Sequence, residues 1–268
     1  MGIFEHEFLV RGLIAGMVTA LVAPSVGLLL LTRRLTFLAD TLSHVALAGL
    51  AAASLVGVAP LAAAAVASVG TAVTVDALRA RGRLSGDAGL SLFLSGGLAV
   101  AAVLLSKGGG QGLQLGSMLF GSLVTVSWGE VWLIGAMATA TLFALLLLRH
   151  QLVAVSVDPE TAAASGVSVR LVDASLAVLA ALTVSVSLRA VGVLLVSALM
   201  VIPSLAALEL KQGLKRTFLA SILFAEVAVI VGLQAALTFD ISAGGAIVLV
   251  ALAEYLLCSL VRSGLRLG

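Results

Sequence analysis

The sequence predicts an all-α, polytopic bundle of membrane-spanning helices, and three observations carry that prediction. Hydrophobic residues make up 61% of the chain and charged residues only 10%, where a soluble domain carries about 25% charged residues. Mean hydropathy is +1.24. The apolar residues gather in runs of about 20, the length at which a helix crosses a hydrocarbon core. The short alternating segments of a membrane barrel are absent. Eight or nine spans in a single domain, 1–268, account for the chain.

Nine segments meet or approach that length: roughly 9–31, 37–57, 59–78, 88–106, 129–148, 171–188, 190–209, 217–237 and 244–262. Basic residues punctuate them. Arg33 and Arg34 follow the first, Arg79, Arg81 and Arg83 the third, and Arg149 the fifth. Arg170 precedes the sixth, Lys211, Lys215 and Arg216 follow the seventh, and Arg262 and Arg266 end the chain. If nine segments alternate, these 12 of the 15 Lys and Arg residues share one side. Basic loops mark the cytoplasmic side, so the N-terminus is expected outside. The stretch 107–128 opens on Gly108, Gly109, Gly110 and Gly112 and has an apolar run too short to span. A short re-entrant or interfacial helix is expected near 113–126. Trp128 and Trp132 fall at the outer end of the fifth segment, where an aromatic belt would lie.

Several classes are excluded. Cys258 is the one cysteine, so neither an internal disulfide nor a thiolate cluster can form. There is no Walker Gly-x-x-x-x-Gly-Lys-Ser/Thr and no His-Glu-x-x-His. The chain is therefore read as a non-enzyme without an ATPase site of its own, and an intramembrane metalloprotease lacks its ligands. The first residues carry Glu5 and Glu7 rather than a basic run, which argues against a cleaved leader.

Asp40 and His44 stand out, placed in the middle of the second segment. Residues four apart share one helix face, and ionisable groups inside a membrane point to function. Asp supplies a hard oxygen and neutral His a nitrogen, a pairing suited to divalent transition metals. The competing reading is a structural pair bridging two helices. Glu226, inside the eighth segment, is a second candidate for an ion path, or a helix-packing group when protonated. Pro203 interrupts backbone bonding in the seventh segment and marks either a hinge or a static kink.

The connection before the sixth segment contains a second readable element. Asp158 suits an N-cap, Pro159 a first turn and Glu160 the positive end of a helix dipole. The Ala162 to Ala164 run continues the helix and Gly166 can end it. A short capped helix about 158–166 follows.

Several stretches together resemble the zinc/manganese ABC transporter permease family. They are Arg33 to Gly49, Leu119-Phe120-Gly121-Ser122-Leu123, Asp158 to Arg170 with Leu188 to Pro203, and Phe239 to Ala246. They occur in the family's order. Ser122 departs from the acidic residue the family often has after Phe-Gly.

The resemblance implies a multi-pass permease of the bacterial cytoplasmic (inner) membrane, working as a homodimer. Its other partners would be lipid, a cytoplasmic ABC ATPase dimer and an extracytoplasmic metal-binding protein, with no nucleic acid. No permanently bound cofactor is expected; the divalent metal, zinc or manganese and in some relatives iron, is the substrate. Asp40 and His44 resemble the family's intramembrane ligand pair, and two copies across a dimer axis would present four ligands, enough for zinc. Asp158, Pro159, Glu160, Ala163 and Gly166 resemble the coupling motif that docks on the ATPase. A proton-coupled secondary metal transporter is the alternative.

Overall fold

The computed structural model describes residues 7–82, 86–107, 121 and 126–264. All regular structure among them is helical. The helices are α1 (Glu7–Thr32), α2 (Thr36–Val56), α3 (Pro60–Ala80), α4 (Gly86–Lys107), α5 (Trp128–Val157), α6 (Pro159–Ala164), α7 (Val169–Val191), α8 (Val193–Glu209), α9 (Leu214–Phe239) and α10 (Ala243–Gly264). Eight of these are long and apolar enough to cross a membrane; α8, at 17 residues, and α6 are not among them. The helix expected near 113–126 lies almost wholly outside the described residues.

The core forms around α1. In its most apolar stretch 72% of residues are buried, against 22% for α3, α4, α5 and α10, so those four leave most of their surface outside the bundle and α1 does not. It packs on α5, α7, α8 and α9, while α2, α3 and α4 form one flank and α8, α9 and α10 the other. Small residues permit the closest crossings. At Gly27 of α1, a Cβ would stand 1.8 Å from the Met200 carbonyl oxygen of α8. Nearby, the Ser204 hydroxyl donates to the Pro24 carbonyl at 3.3 Å and to the Met200 carbonyl at 3.0 Å. Prolines inside both helices, Pro24 and Pro203, therefore flank one crossing.

Two boundaries differ from those expected. The fifth segment is expected over 129–148, but α5 runs 30 residues to Val157. Arg149 to Val157 is helix because Leu152 and Val155 still pack into the core. The sixth and seventh segments meet at Gly192, with φ 87 and ψ 162, a conformation that is essentially glycine-only. The 17 residues of α8 reach about 25 Å, short of the roughly 30 Å hydrocarbon core. Its N-terminal end is buried in protein, where its free backbone groups avoid lipid, whereas its other end is exposed at Leu208 and Leu210.

Contacts at the two ends fix the running directions. The Trp128 indole donates to Glu7 at 2.7 Å, and the Arg33 guanidinium donates to the Val155 carbonyl at 2.9 Å, so α1 and α5 run parallel. Thr41 donates to the Leu90 carbonyl at 3.2 Å, and Gly97 lies against Val45, so α2 and α4 are parallel to each other and opposite to α1. Lys107 and Trp128 are thereby on the same face of the bundle. Arg33, Arg79, Arg170 and Arg262 collect at the other face, as alternating spans require.

Candidate functional site

The turn from α1 to α2 is three residues long. Arg34 adopts φ 57, a left-handed conformation uncommon for a residue with a side chain, and the Leu35 amide donates to the Leu30 carbonyl at 2.7 Å. Asp40 is the fifth residue of α2 and His44 the ninth. At 1.5 Å per residue they stand about 6 and 12 Å above the helix start. The pair thus occupies the half of the span nearer the basic face, not its middle, because the helix begins immediately after Arg33 and Arg34.

Both side chains are half-buried and lie on one face with exposed Phe37. No hydrogen bond or ion pair to Asp40 is present among the described residues. The His44 Nδ1 is enclosed and makes no hydrogen bond. Flanking hydroxyls do not serve the pair: Thr41 donates to the Phe37 carbonyl at 2.9 Å and Ser43 to the Ala39 carbonyl at 2.8 Å. A buried, unpaired polar group is costly; the His44 Nδ1 is one, and the half-buried Asp40 carboxylate shares its face.

Among the described residues, no three His, Cys, Asp or Glu side chains are grouped to hold a metal ion. One copy therefore offers only the pair. Glu226 is not brought to it: α9 packs on α1, α8 and α10, whereas α2 packs on α3, α4, α7 and α8. Glu226 and Glu254 each have an enclosed Oε2 without a partner. They stand at a similar height, since Gly232 meets Ile247 across their hairpin.

The second element forms where expected. Asp158 caps α6, accepting from the Glu160 amide at 3.0 Å, the Thr161 amide at 3.1 Å and the Thr161 hydroxyl at 2.5 Å. These bonds, the Thr161 hydroxyl foremost, hold its carboxyl below the usual carboxylate range. Pro159 is in the first turn. Gly166, at φ 85, ends the helix with its amide donating to the Ala163 carbonyl at 3.0 Å. Ala162 is buried against the bundle while Glu160, Thr161, Ala163 and Ala164 are exposed. Six residues with one anchoring side chain present a small, flat outward face.

Contacts between distant residues were not visible in the sequence. Arg33 grips Asp173 with two bonds of 3.0 and 2.7 Å, although the two lie 140 positions apart. The crossing at Pro24 and Pro203 is likewise non-local. Pro203 itself is buried within α8.

The sequence matches the ABC 3 transport family over residues 5–262. It is 31% identical to a Treponema pallidum protein named "probable metal transport system membrane protein", over 94% of this chain and 95% of that one. It is 25% identical to the manganese transport system membrane protein MntC of Halalkalibacterium halodurans, over 93% of this chain and 85% of that one. Among solved structures, PsaBC from Streptococcus pneumoniae in complex with Fab contains a chain that superposes with a TM-score of 0.86 at 26% identity, covering 95% of this chain and 91% of that one. With eight apolar helices long enough to span among the described residues, and a match over nearly its whole length, the chain is a multi-pass membrane protein that belongs to the ABC 3 transport family.

Proposed function

We propose that this chain is the membrane-spanning subunit of an ATP-binding-cassette importer for divalent transition metal ions, with Asp40 and His44 as transient ligands in the path. The observation that carries the reading is the pair itself: two metal-compatible side chains, half-buried on one face of a span, with an enclosed ring nitrogen on His44 that makes no hydrogen bond. Relatives named for metal and manganese transport support the substrate class.

Two ligands hold an ion poorly, so a second copy supplies the other two across a shared axis. Four ligands satisfy zinc, and added water completes the six positions manganese prefers. A conducting site must also release its ion, which a site assembled from two movable halves can do. The chain has no Walker motif, so ATP hydrolysis belongs to a partner on the basic, cytoplasmic face, where α6 docks through Glu160 and Ala163 with Asp158, Pro159 and Gly166 fixing its ends. A metal-binding protein delivers the ion on the opposite face. Pro203 and Pro24, at one crossing, supply a bend about which α8 and α1 shift.

The test is uptake of manganese and zinc, in competition with ferrous iron, by cells in which this chain is the only copy. Asp40→Ala and His44→Ala should each lower uptake at least about tenfold, since losing even an outer-shell partner costs 10–100-fold in affinity. Membrane insertion should persist. Wild-type uptake by both variants would remove the pair from the path.

A further inference from the structure

Arg33 touches both flanks of the α6 element. Its Nη1 donates to the carbonyl of Val155, near the end of α5, at 2.9 Å. Its Nε and Nη2 grip the Asp173 carboxylate in the first turns of α7 at 3.0 and 2.7 Å. The α5 and α7 helices are the two that lead into and out of α6. One guanidinium thus gathers both of its roots, and its planar fork suits this by presenting two parallel N–H groups to the carboxylate and a further one to the carbonyl. The pair is well enclosed, with side-chain exposures of 16% and 26%.

On its other side Arg33 is bonded into the tight turn that starts α2. Arg34 follows it in the left-handed region and Leu35 is tied back to Leu30, so the turn has little slack before Asp40. Farther along, α7 packs closely on α3, where the Ser68 and Ser185 hydroxyls share a hydrogen bond of 2.5 Å, but near the start of α7 the polar contact with α3 is longer. Arg170 approaches Asp76 of α3 only to 3.9 Å, with Arg170 largely exposed. Between α3 and the clamp lies a cavity of about 560 Å³, lined by Arg33, Asp76, Arg79, Arg170 and Asp173 among others. The start of α7 is therefore joined to the α1–α2 turn by a short bidentate pair and to α3 by a longer, exposed one, with open space beside it and the close α3 packing farther along as a pivot.

We infer that the Arg33–Asp173–Val155 clamp is the positioning device that passes displacement of α6 to the α2 helix carrying Asp40 and His44. This rests on the function proposed above. When α6 is pulled or pushed, α5 and α7 move with it, the cavity accommodates the shift, and Arg33 drags the turn that sets the height and rotation of α2. Arg33 and Asp173 touch no ion; they act through the helix that does.

The test uses the chain reconstituted in vesicles with its ATPase and metal-binding protein, with manganese and zinc as the probes. Metal taken up per ATP hydrolysed is measured beside equilibrium metal binding. Asp173→Asn, which keeps shape but loses charge, should lower the uptake-to-hydrolysis ratio about tenfold, within the range of ordinary inter-site coupling, while binding stays within about twofold. The exchanged pair Arg33→Asp with Asp173→Arg should recover much of the ratio. A wild-type ratio in Asp173→Asn, binding lost in step with uptake, or an exchanged pair no better than the single variant would each overturn the clamp. Failure of the unmodified chain to move either metal would instead overturn the proposed function.

Discussion

The Asp158 carboxylate accepts three hydrogen bonds at the start of α6, and those donors favour its ionised form. Its folded pKa lies below the unfolded value of about 4. The cap's contribution is therefore complete above that unfolded value and is lost as pH falls through the folded one. Protection of the Glu160 and Thr161 amides from hydrogen exchange, corrected for intrinsic rates, should be flat from about pH 8 to pH 5 and decline only below about pH 4. At neutral pH, Asp158→Ala should raise their exchange about three- to tenfold, and Asp158→Asn much less; equal protection in the Ala variant would show that the cap is idle. This element was legible because every part of it is local: cap, proline, dipole partner and terminating glycine lie within nine positions. The Asp40 and His44 pair was legible for the same reason. Arg33 was readable only as a basic residue after a span, because its partners, Val155 and Asp173, come near it only once α5 and α7 have packed.

At the scale of elements, apolar run length located the spans but not their ends. The fifth helix extends past the expected segment because Leu152 and Val155 bury themselves on one side of an otherwise largely exposed continuation. The break at Gly192 was misplaced by a few residues because an apolar sequence continues on both sides of it. Two glycines make testable statements about these elements. Gly27→Ala puts a methyl group into the Met200 backbone and should cost about 1–3 kcal/mol or more, the range for overpacking, seen as a lower melting temperature in detergent. Gly135→Ala in α5, where nothing lies within 4 Å of the added carbon, is the control and should be neutral or slightly stabilising. Gly192→Ala should cost about 1–3 kcal/mol from backbone strain alone. A Gly27→Ala variant as stable as the Gly135→Ala control would mean that α1 and α8 do not cross so closely in the membrane.

For the whole molecule, the ends of the bundle supply what alternation of segments alone left open. Lys107 and Trp128 share a face, so α4 and α5 both reach the side opposite the basic residues. In a Cys258→Ser background, Lys107→Cys and Gly129→Cys should react with an impermeant thiol reagent from one side of the membrane and Ala163→Cys from the other. Labelling of Lys107→Cys and Gly129→Cys from opposite sides would invert every span after α4. The α1 helix has 26 residues and so is about 39 Å long, close to a bilayer with its headgroups at 40–45 Å. The Glu7–Trp128 contact then belongs to one headgroup layer and the Arg33 clamp to the other.

The short distance from Asp40 to the start of α2 has an electrostatic consequence. On the proposed path, a cation at this carboxylate would have most of the membrane behind it and a collar of Arg33, Arg34 and Arg79 just ahead, with Asp76 and Asp173 offsetting only part of that charge. The last step inward on that path would be uphill against positive charge, and the collar would act as a doorstep that favours retention until the surrounding helices shift. Mobile ions screen such a barrier over about 8 Å at physiological ionic strength. Raising salt on the inner side alone should therefore hasten discharge of bound metal, and the effect should shrink when Arg34 is neutralised.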